Sequence, residues 1–290
     1  MPHCSRGQGR VRALSCDVVP SRDAKHDRGR NVWIGTAGWS IGRRHASEFP
    51  GPGPRLARYA RQLRAVEINS SFYRDHSRAT YERWGREAAG LRFAVKMPRA
   101  ITHEHGLQRA SSLVRRFIDQ IAGLGSALGP VLVQLPPSLV YDGQVAARFF
   151  GHLRDHFAGP VVCEPRNASW AVPNADRLMG RWRIGRVAAD PPRVASRELP
   201  AGWLGPTGDG GHATVYYRLH GTPRVYWSSY ANDALTSVVS ALQAWSPETD
   251  VWCIFDNTAA GAALDNARAL QRLLDRPRHS RDRGSALLSS

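Results

Sequence analysis

Lysine is almost missing from this chain of 290 residues: Lys25 and Lys96 are the only two, against 38 arginines. The formal charge of +16 is thus nearly all guanidinium, an imbalance that reads as codon bias rather than as selection for phosphate contacts. No DNA- or RNA-binding motif accompanies it, so nucleic acid is not the expected partner. Long apolar runs are missing too. Nowhere do about 18 apolar residues follow one another, and the N-terminus has no apolar core of a signal peptide, so no membrane span or secretion is expected. Cysteine is sparse and scattered. Cys4 and Cys16 lack metal-ligand spacing, while Cys163 and Cys253 lie inside apolar runs as core thiols, which agrees with a cytoplasmic location.

Eight short apolar, β-branched runs are present: VWIGTAGW (32–39), AVEINSSFY (65–73), RFAVKMPR (92–99), PVLVQLPP (130–137), PVVCEPR (160–166), IGRVAAD (184–190), ATVYYRLHG (213–221) and VWCIFDN (251–257). Near-continuous hydrophobicity marks parallel strands buried on both faces. Between them, Leu113, Phe117 and Ile121 recur every fourth residue, and Asp142 can cap a helix carrying Val145, Phe149, Leu153 and Phe157 at the same spacing. Strands alternating with helices eight times over predict a (β/α)8 barrel, the TIM-barrel fold. Residues 191–211, rich in proline and glycine and without periodicity, deny the sixth helix and predict an irregular loop over the barrel mouth. Residues 1–30, with seven basic and three acidic side chains and no apolar period, and the Arg- and Ser-rich residues 276–290 are expected to be disordered tails around one domain at 31–275.

Seven of the eight runs end in ionisable or amide side chains, and in such a barrel the C-terminal strand ends build the active site. Alternation puts Glu67 and Asn69 on one face of a strand, and likewise Glu164 and Arg166, and Arg218 and His220. If those faces point inward, one cavity gathers them with Lys96, Gln134, Asp190 and Asp256. That much charge is costly to bury for structure alone. The alternative is a mutually satisfied salt-bridge layer closing the barrel top. In a chain that fills nearly every cationic position with arginine, Lys96 points to chemistry a permanently charged fork cannot do.

The strand ends IGTAGWS (34–40), VEINSSFY (66–73), FAVKMPRAITH (93–103), VLVQLPPS (131–138), CEPRNASW (163–170), YRLHG (217–221) and FDNTAAGAALDNA (255–267) together resemble the YecE-like family, a domain of unknown function (DUF72). The resemblance covers residues 32–275 in order. It implies a TIM barrel distantly related to sugar isomerases and no established reaction. The tyrosine usual after the GWS motif is Ile41 here.

Chemistry assigns expected roles. Glu67, Lys96, Glu164, Asp190, His220 and Asp256 form the catalytic set. In it Glu164 is a general base or acid with Asp190 beside it, His220 a proton shuttle, and Lys96 a stabiliser of an oxyanion or a Schiff-base amine. Arg166 and Arg218 suit the grip of an anionic group, and Asn69, Gln134 and Asn257 are orienting amides. Trp39, Tyr73, His103, Trp170 and Tyr226 lie where they can wall a sugar or planar ligand, with Phe72 beside them. The resulting reading is an acid/base enzyme, isomerase or lyase in type, for a small polar, anionic or sugar-like substrate, with no cofactor. Two alternatives stand. One is a phosphodiesterase or nuclease in which His103, His105, Glu164, Asp190 and Asp256 hold a divalent metal, against which the many nearby cations compete. The other is a non-catalytic metabolite-binding protein. The glycine-rich TGDGG stretch (207–211) reads as a hinge.

Removal of residues 1–30 and 277–290 together is expected to leave soluble, folded protein, since neither segment has apolar periodicity and Pro277 marks a stop after Leu274. Circular dichroism of the trimmed chain checks this; loss of soluble expression contradicts it.

Overall fold

The structure, a computed structural model, describes residues 31–192 and 213–275. The two expected tails, nearly all of the expected mouth loop and the TGDGG stretch lie outside the described residues.

Every apolar run forms strand. These are β1 (Val32–Ala37), β2 (Ala65–Ile68), β3 (Arg92–Lys96), β4 (Leu128–Gln134), β5 (Val161–Glu164), β8 (Thr214–Leu219) and β9 (Asp250–Phe255), while the sixth run breaks at Val187 into β6 (Ile184–Arg186) and β7 (Ala188–Asp190). All pairs are parallel, in the order β6-β5-β4-β3-β2-β1-β9-β8-β7. The edge strands β6 and β7 follow each other directly in the chain, so the broken sixth stave closes the ring by itself. One half pairs with β5 and the other with β8, and the Val187 N–H still donates to the Cys163 carbonyl at 2.9 Å. The fold is therefore a nearly closed (β/α)8 barrel.

Among the described residues seven helices cover the outside: α1 (Arg55–Ala60), α2 (Arg78–Glu87), α3 (Ser111–Ile121), α4 (Gly143–His156), α5 (Pro173–Arg181), α6 (Asn232–Gln243) and α7 (Ala262–Leu274). Their starts and buried faces follow from sequence. Asp142 accepts hydrogen bonds from the N–H groups of Gln144 and Val145 at 2.8 and 3.0 Å, and the face it launches buries Ala146, Phe149, Phe150 and Leu153 against the barrel wall. On α3 the buried stripe is Val114, Phe117, Ile118 and Ile121. No helix among the described residues is long and apolar enough to cross a membrane.

Two apolar cores result among the described residues. The larger lies between strands and helices. The smaller fills the barrel interior and consists of Ala65, Ala94, Leu132, Val162, Val187, Tyr216, Trp252 and Ile254, with Trp33 and Ala37 packed on it. Its floor is aromatic: Trp252 stacks on Tyr216 with centroids 6.1 Å apart and meets Trp33 at 6.0 Å. Gly129 makes the room, because a Cβ there would come within 2.5 Å of the Trp252 ring. Gly129→Ala is expected to cost about 1–3 kcal/mol by overpacking. Urea unfolding checks it; an unchanged midpoint would mean the floor is looser than these distances imply.

Candidate active site

The interior core sets which strand residues face inward, and the charged residues follow from it by counting in twos. Glu67 stands two residues past Ala65, Lys96 two past Ala94, Gln134 two past Leu132, Glu164 two past Val162, Arg218 two past Tyr216 and Asp256 two past Ile254. Each therefore enters the interior one layer above the apolar floor, and all six are buried. His220, two past Arg218, continues the same face.

Arg218 organises this layer. Its Nε and Nη2 donate to the two oxygens of Glu67 at 2.9 and 2.7 Å, its Nη1 donates to Glu164 Oε2 at 3.0 Å, and Nη2 lies 3.1 Å from Asp256 Oδ2. The Tyr216 hydroxyl rises from the floor and donates to Glu67 Oε2 at 2.9 Å. His220 adds a second cation. Its Nδ1 is 3.0 Å from Asp256 Oδ2, and its Nε2 stands 3.3 Å from Glu164 Oε1, outside hydrogen-bond alignment. From the rim, Arg166 Nε donates to Glu164 Oε1 at 2.9 Å and its Nη1 to the Tyr226 hydroxyl at 3.1 Å.

These contacts set the proton affinities. Burial pushes the Glu164 carboxyl up, but Arg218, the adjacent His220 and Arg166 outweigh it and hold the group well below the usual carboxylate range. Asp256 is lowered in the same way by Arg218 and His220 against its own burial. Burial disfavours a charged His220, yet Asp256 and Glu164 prevail and hold its imidazole above the ordinary 6.5. Glu164 is thus a weak base, and His220 is the group that can exchange a proton near neutrality. Arg218 is 1% exposed and fully engaged by carboxylates, so it holds the site together rather than gripping a substrate as expected.

Lys96 differs from its neighbours. It is 5% exposed, no side-chain oxygen among the described residues bonds its ammonium, and Nζ lies 3.9 Å from the centroid of the Phe72 ring. Burial, then Arg218, lowers it from 10.5 to about 8, with Glu67, Asp256 and Glu164 opposing from farther away. His103 meets Phe72 edge-on at 4.9 Å, and burial with Lys96 and Arg166 lowers it to about 4, so this imidazole is neutral. Gln134 is buried, and among the described residues Asn69 Oδ1 is buried without a hydrogen-bond partner.

Other expected members lie elsewhere. Asp190 does not join Glu164: Val187 faces inward, so alternation gives the interior Ala189 and turns Asp190 outward, where it accepts from Tyr230 at 2.6 Å and Thr222 at 3.0 Å. Asn257, one residue past inward Asp256, ties the 221–230 loop to α7 by donating to the Ser228 carbonyl and Asn266 Oδ1, both at 2.8 Å. Trp170 is buried with its Nε1 donating to the Leu139 carbonyl at 3.0 Å. Trp39 turns onto Trp84 at 5.0 Å, because Gly38, at φ +88°, bends the chain after β1. Tyr73 is 69% exposed and touches Phe72 rather than the cluster. For a metal, Glu104 is taken by Arg99 at 3.1 Å, and the described residues hold no group of three or more His, Cys, Asp or Glu side chains in metal-holding geometry. Sequence reasoning missed Tyr216, whose place in an apolar run gave no sign of its bond to Glu67.

Arg218→Met is expected to destabilise the fold by about 3–5 kcal/mol, because it strands three carboxylates away from water. Arg218→Lys should cost nearly as much, since an ammonium cannot span the three positions of the fork. Urea unfolding of both variants checks this; a Lys variant as stable as the parent would show that charge alone suffices.

The comparisons with known proteins agree with this architecture. The family model described as "Protein of unknown function DUF72" matches residues 33–286. The chain is 24% identical over 285 residues to the UPF0759 protein YunF of Bacillus subtilis, covering 84% of this chain and 95% of that one. It is similar in structure to a DUF72 family protein from Enterococcus faecalis V583, with TM-score 0.67 and 21% identity over 86% of this chain and 97% of that one. A sugar phosphate isomerase/epimerase from Parabacteroides distasonis shares the fold at TM-score 0.51 and 14% identity, over 89% of this chain and 99% of that one. By its family-model match across nearly the whole barrel, the chain belongs to the DUF72 family.

Proposed function

We propose that this barrel is an acid/base enzyme, isomerase or lyase in type, acting on a small polar substrate of sugar-like or anionic character. The observation that carries the reading is the pairing of two proton carriers in one buried layer. One is an imidazole held above its ordinary value by Asp256 and Glu164, and the other an ammonium brought down to about 8 mainly by its own burial. Groups that titrate near neutrality suit proton transfer to and from carbon or oxygen. The carboxylates then act by positioning: Glu67, Glu164 and Asp256 hold Arg218 and His220 in place. Arg166, Gln134, His103 and Tyr226 stand around the same mouth as polar contacts for hydroxyl or acidic groups. The sugar phosphate isomerase/epimerase neighbour supports the sugar side of the reading by fold analogy only. The phosphodiesterase alternative is weaker, since Arg218 already satisfies the three carboxylates that would otherwise gather a divalent ion. The reading calls for no cofactor.

Incubation in D2O with a panel of aldoses, ketoses, their phosphates and hydroxy acids, followed by NMR, tests it. Deuterium should enter a C–H next to the carbonyl or carboxylate of at least one compound. The rate should fall about 100-fold or more in His220→Asn. The rate needs neutral Lys96 and protonated His220, so it rises as Lys96 loses its proton through about 8 and falls as His220 loses its own above the ordinary 6.5, giving a bell-shaped profile. A compound that binds without exchange or turnover would favour a metabolite-binding protein instead.

A further inference from the structure

Every charged side chain of the upper interior layer except one is within ion-pair distance of an opposite charge. Glu67, Glu164 and Asp256 meet Arg218, His220 meets Asp256, and Arg166 meets Glu164. Lys96 is the exception among the described residues, although it shares that layer. If its task were to neutralise carboxylates, it would sit within 4 Å of one, but Arg218 holds those positions. If its task were to fill space under a ring, an apolar side chain would avoid burying an amine. What remains is the property an arginine-rich chain otherwise lacks, a nitrogen lone pair able to form a covalent bond.

We infer that Lys96 is a covalent catalytic residue whose Nζ adds to the carbonyl carbon of a small polar aldehyde or ketone seated at the barrel mouth, forming an imine. This rests on the acid/base reading of the same site and narrows its substrate to compounds with a free carbonyl group. The balance is simple. Neutral Nζ forms the C–N bond, the nitrogen loses a proton as the oxygen gains one, and the resulting carbinolamine loses that oxygen as water once it is protonated again. No oxidant or reductant is required. The layer holds the acid for the last step in His220, and the surroundings hold the amine neutral often enough to react. The Phe72 face beneath Nζ bars approach from one side, and the neutral His103 on the same ring adds no competing charge. The iminium is an electron sink that acidifies the neighbouring C–H, which is the step an isomerase or lyase needs.

Reductive trapping with glycolaldehyde and sodium cyanoborohydride at pH 7.5 tests this on the full chain. Lys25 and Lys96 are the only side-chain amines, so peptide mass mapping separates them cleanly. The ratio of Lys96 to Lys25 modification should be at least about tenfold higher in folded protein than in guanidinium-unfolded protein, because an amine near 8 is far more often neutral at this pH than one at 10.5. A ratio equal to or below the unfolded one overturns the imine. Such a ratio together with deuterium exchange that is lost in Lys96→Arg overturns the imine while leaving Lys96 as a proton carrier of the acid/base reading. Absence of exchange in the parent protein sinks that reading separately.

Discussion

The guanidinium of Arg218 is the hinge on which the structure turns, because it makes one buried layer out of side chains from four strands. Glu67 from β2, Glu164 from β5 and Asp256 at the end of β9 would each resist leaving water, and together they would repel one another within a few ångströms. A planar fork with five N–H donors meets all three at once, two of them through charged hydrogen bonds at 2.7–3.0 Å. The arrangement ties opposite sides of the barrel together across its mouth. It also uses up the carboxylates, which is why the acids most conspicuous in the sequence end as supports rather than as bases.

That partition of charge decides which groups remain available. With Glu164 and Asp256 held ionised, their negative potential falls on His220 and keeps its imidazole protonated past its ordinary range. The sign of the linkage follows. His220 stabilises the fold fully below about 6.5 and loses that contribution as pH rises through its higher folded value, whereas Glu164 and Asp256 contribute above their ordinary carboxylate values and lose it as pH falls toward their lowered ones. Lys96 runs against this: lowered to about 8, its charged form costs stability below that value, and the cost recedes as pH rises toward 10.5.

Much of this was legible in the chain because parallel buried strands leave a two-part code: a hydrophobic run for the wall and a polar residue at a fixed parity for the mouth. β2, β3, β5, β8 and β9 each carry that code, so Glu67, Lys96, Glu164, Arg218, His220 and Asp256 were placed together correctly. The sixth run carries Arg186 and Asp190 at one parity and only Gly185, Val187 and Ala189 at the other, and either parity could face inward; the structure turns Val187 inward. Asp190 was lost to that ambiguity. Asn257 falls at the opposite parity from inward Asp256, and Trp39 follows a strand end where the positive φ of Gly38 redirects the chain. Side-chain pairing is invisible to periodicity, so neither the Tyr216 bond to Glu67 nor the full engagement of Arg218 could be read in advance.

Arg218 and Lys96 then explain each other. Position 218 needs a group that reaches three carboxylates in one plane and never gives up its charge, which only arginine supplies. Position 96 lies on the same inward face but across from ligands already taken, above an aromatic ring and away from water. An arginine there would remain a second permanent charge beside Arg218 with no anion left to meet it, a standing cost in a buried layer. A lysine escapes that cost by shedding its proton, and in doing so becomes the one reactive amine of the barrel. The rarity of lysine in the sequence and the absence of an oxygen partner for it among the described residues are thus two views of one constraint.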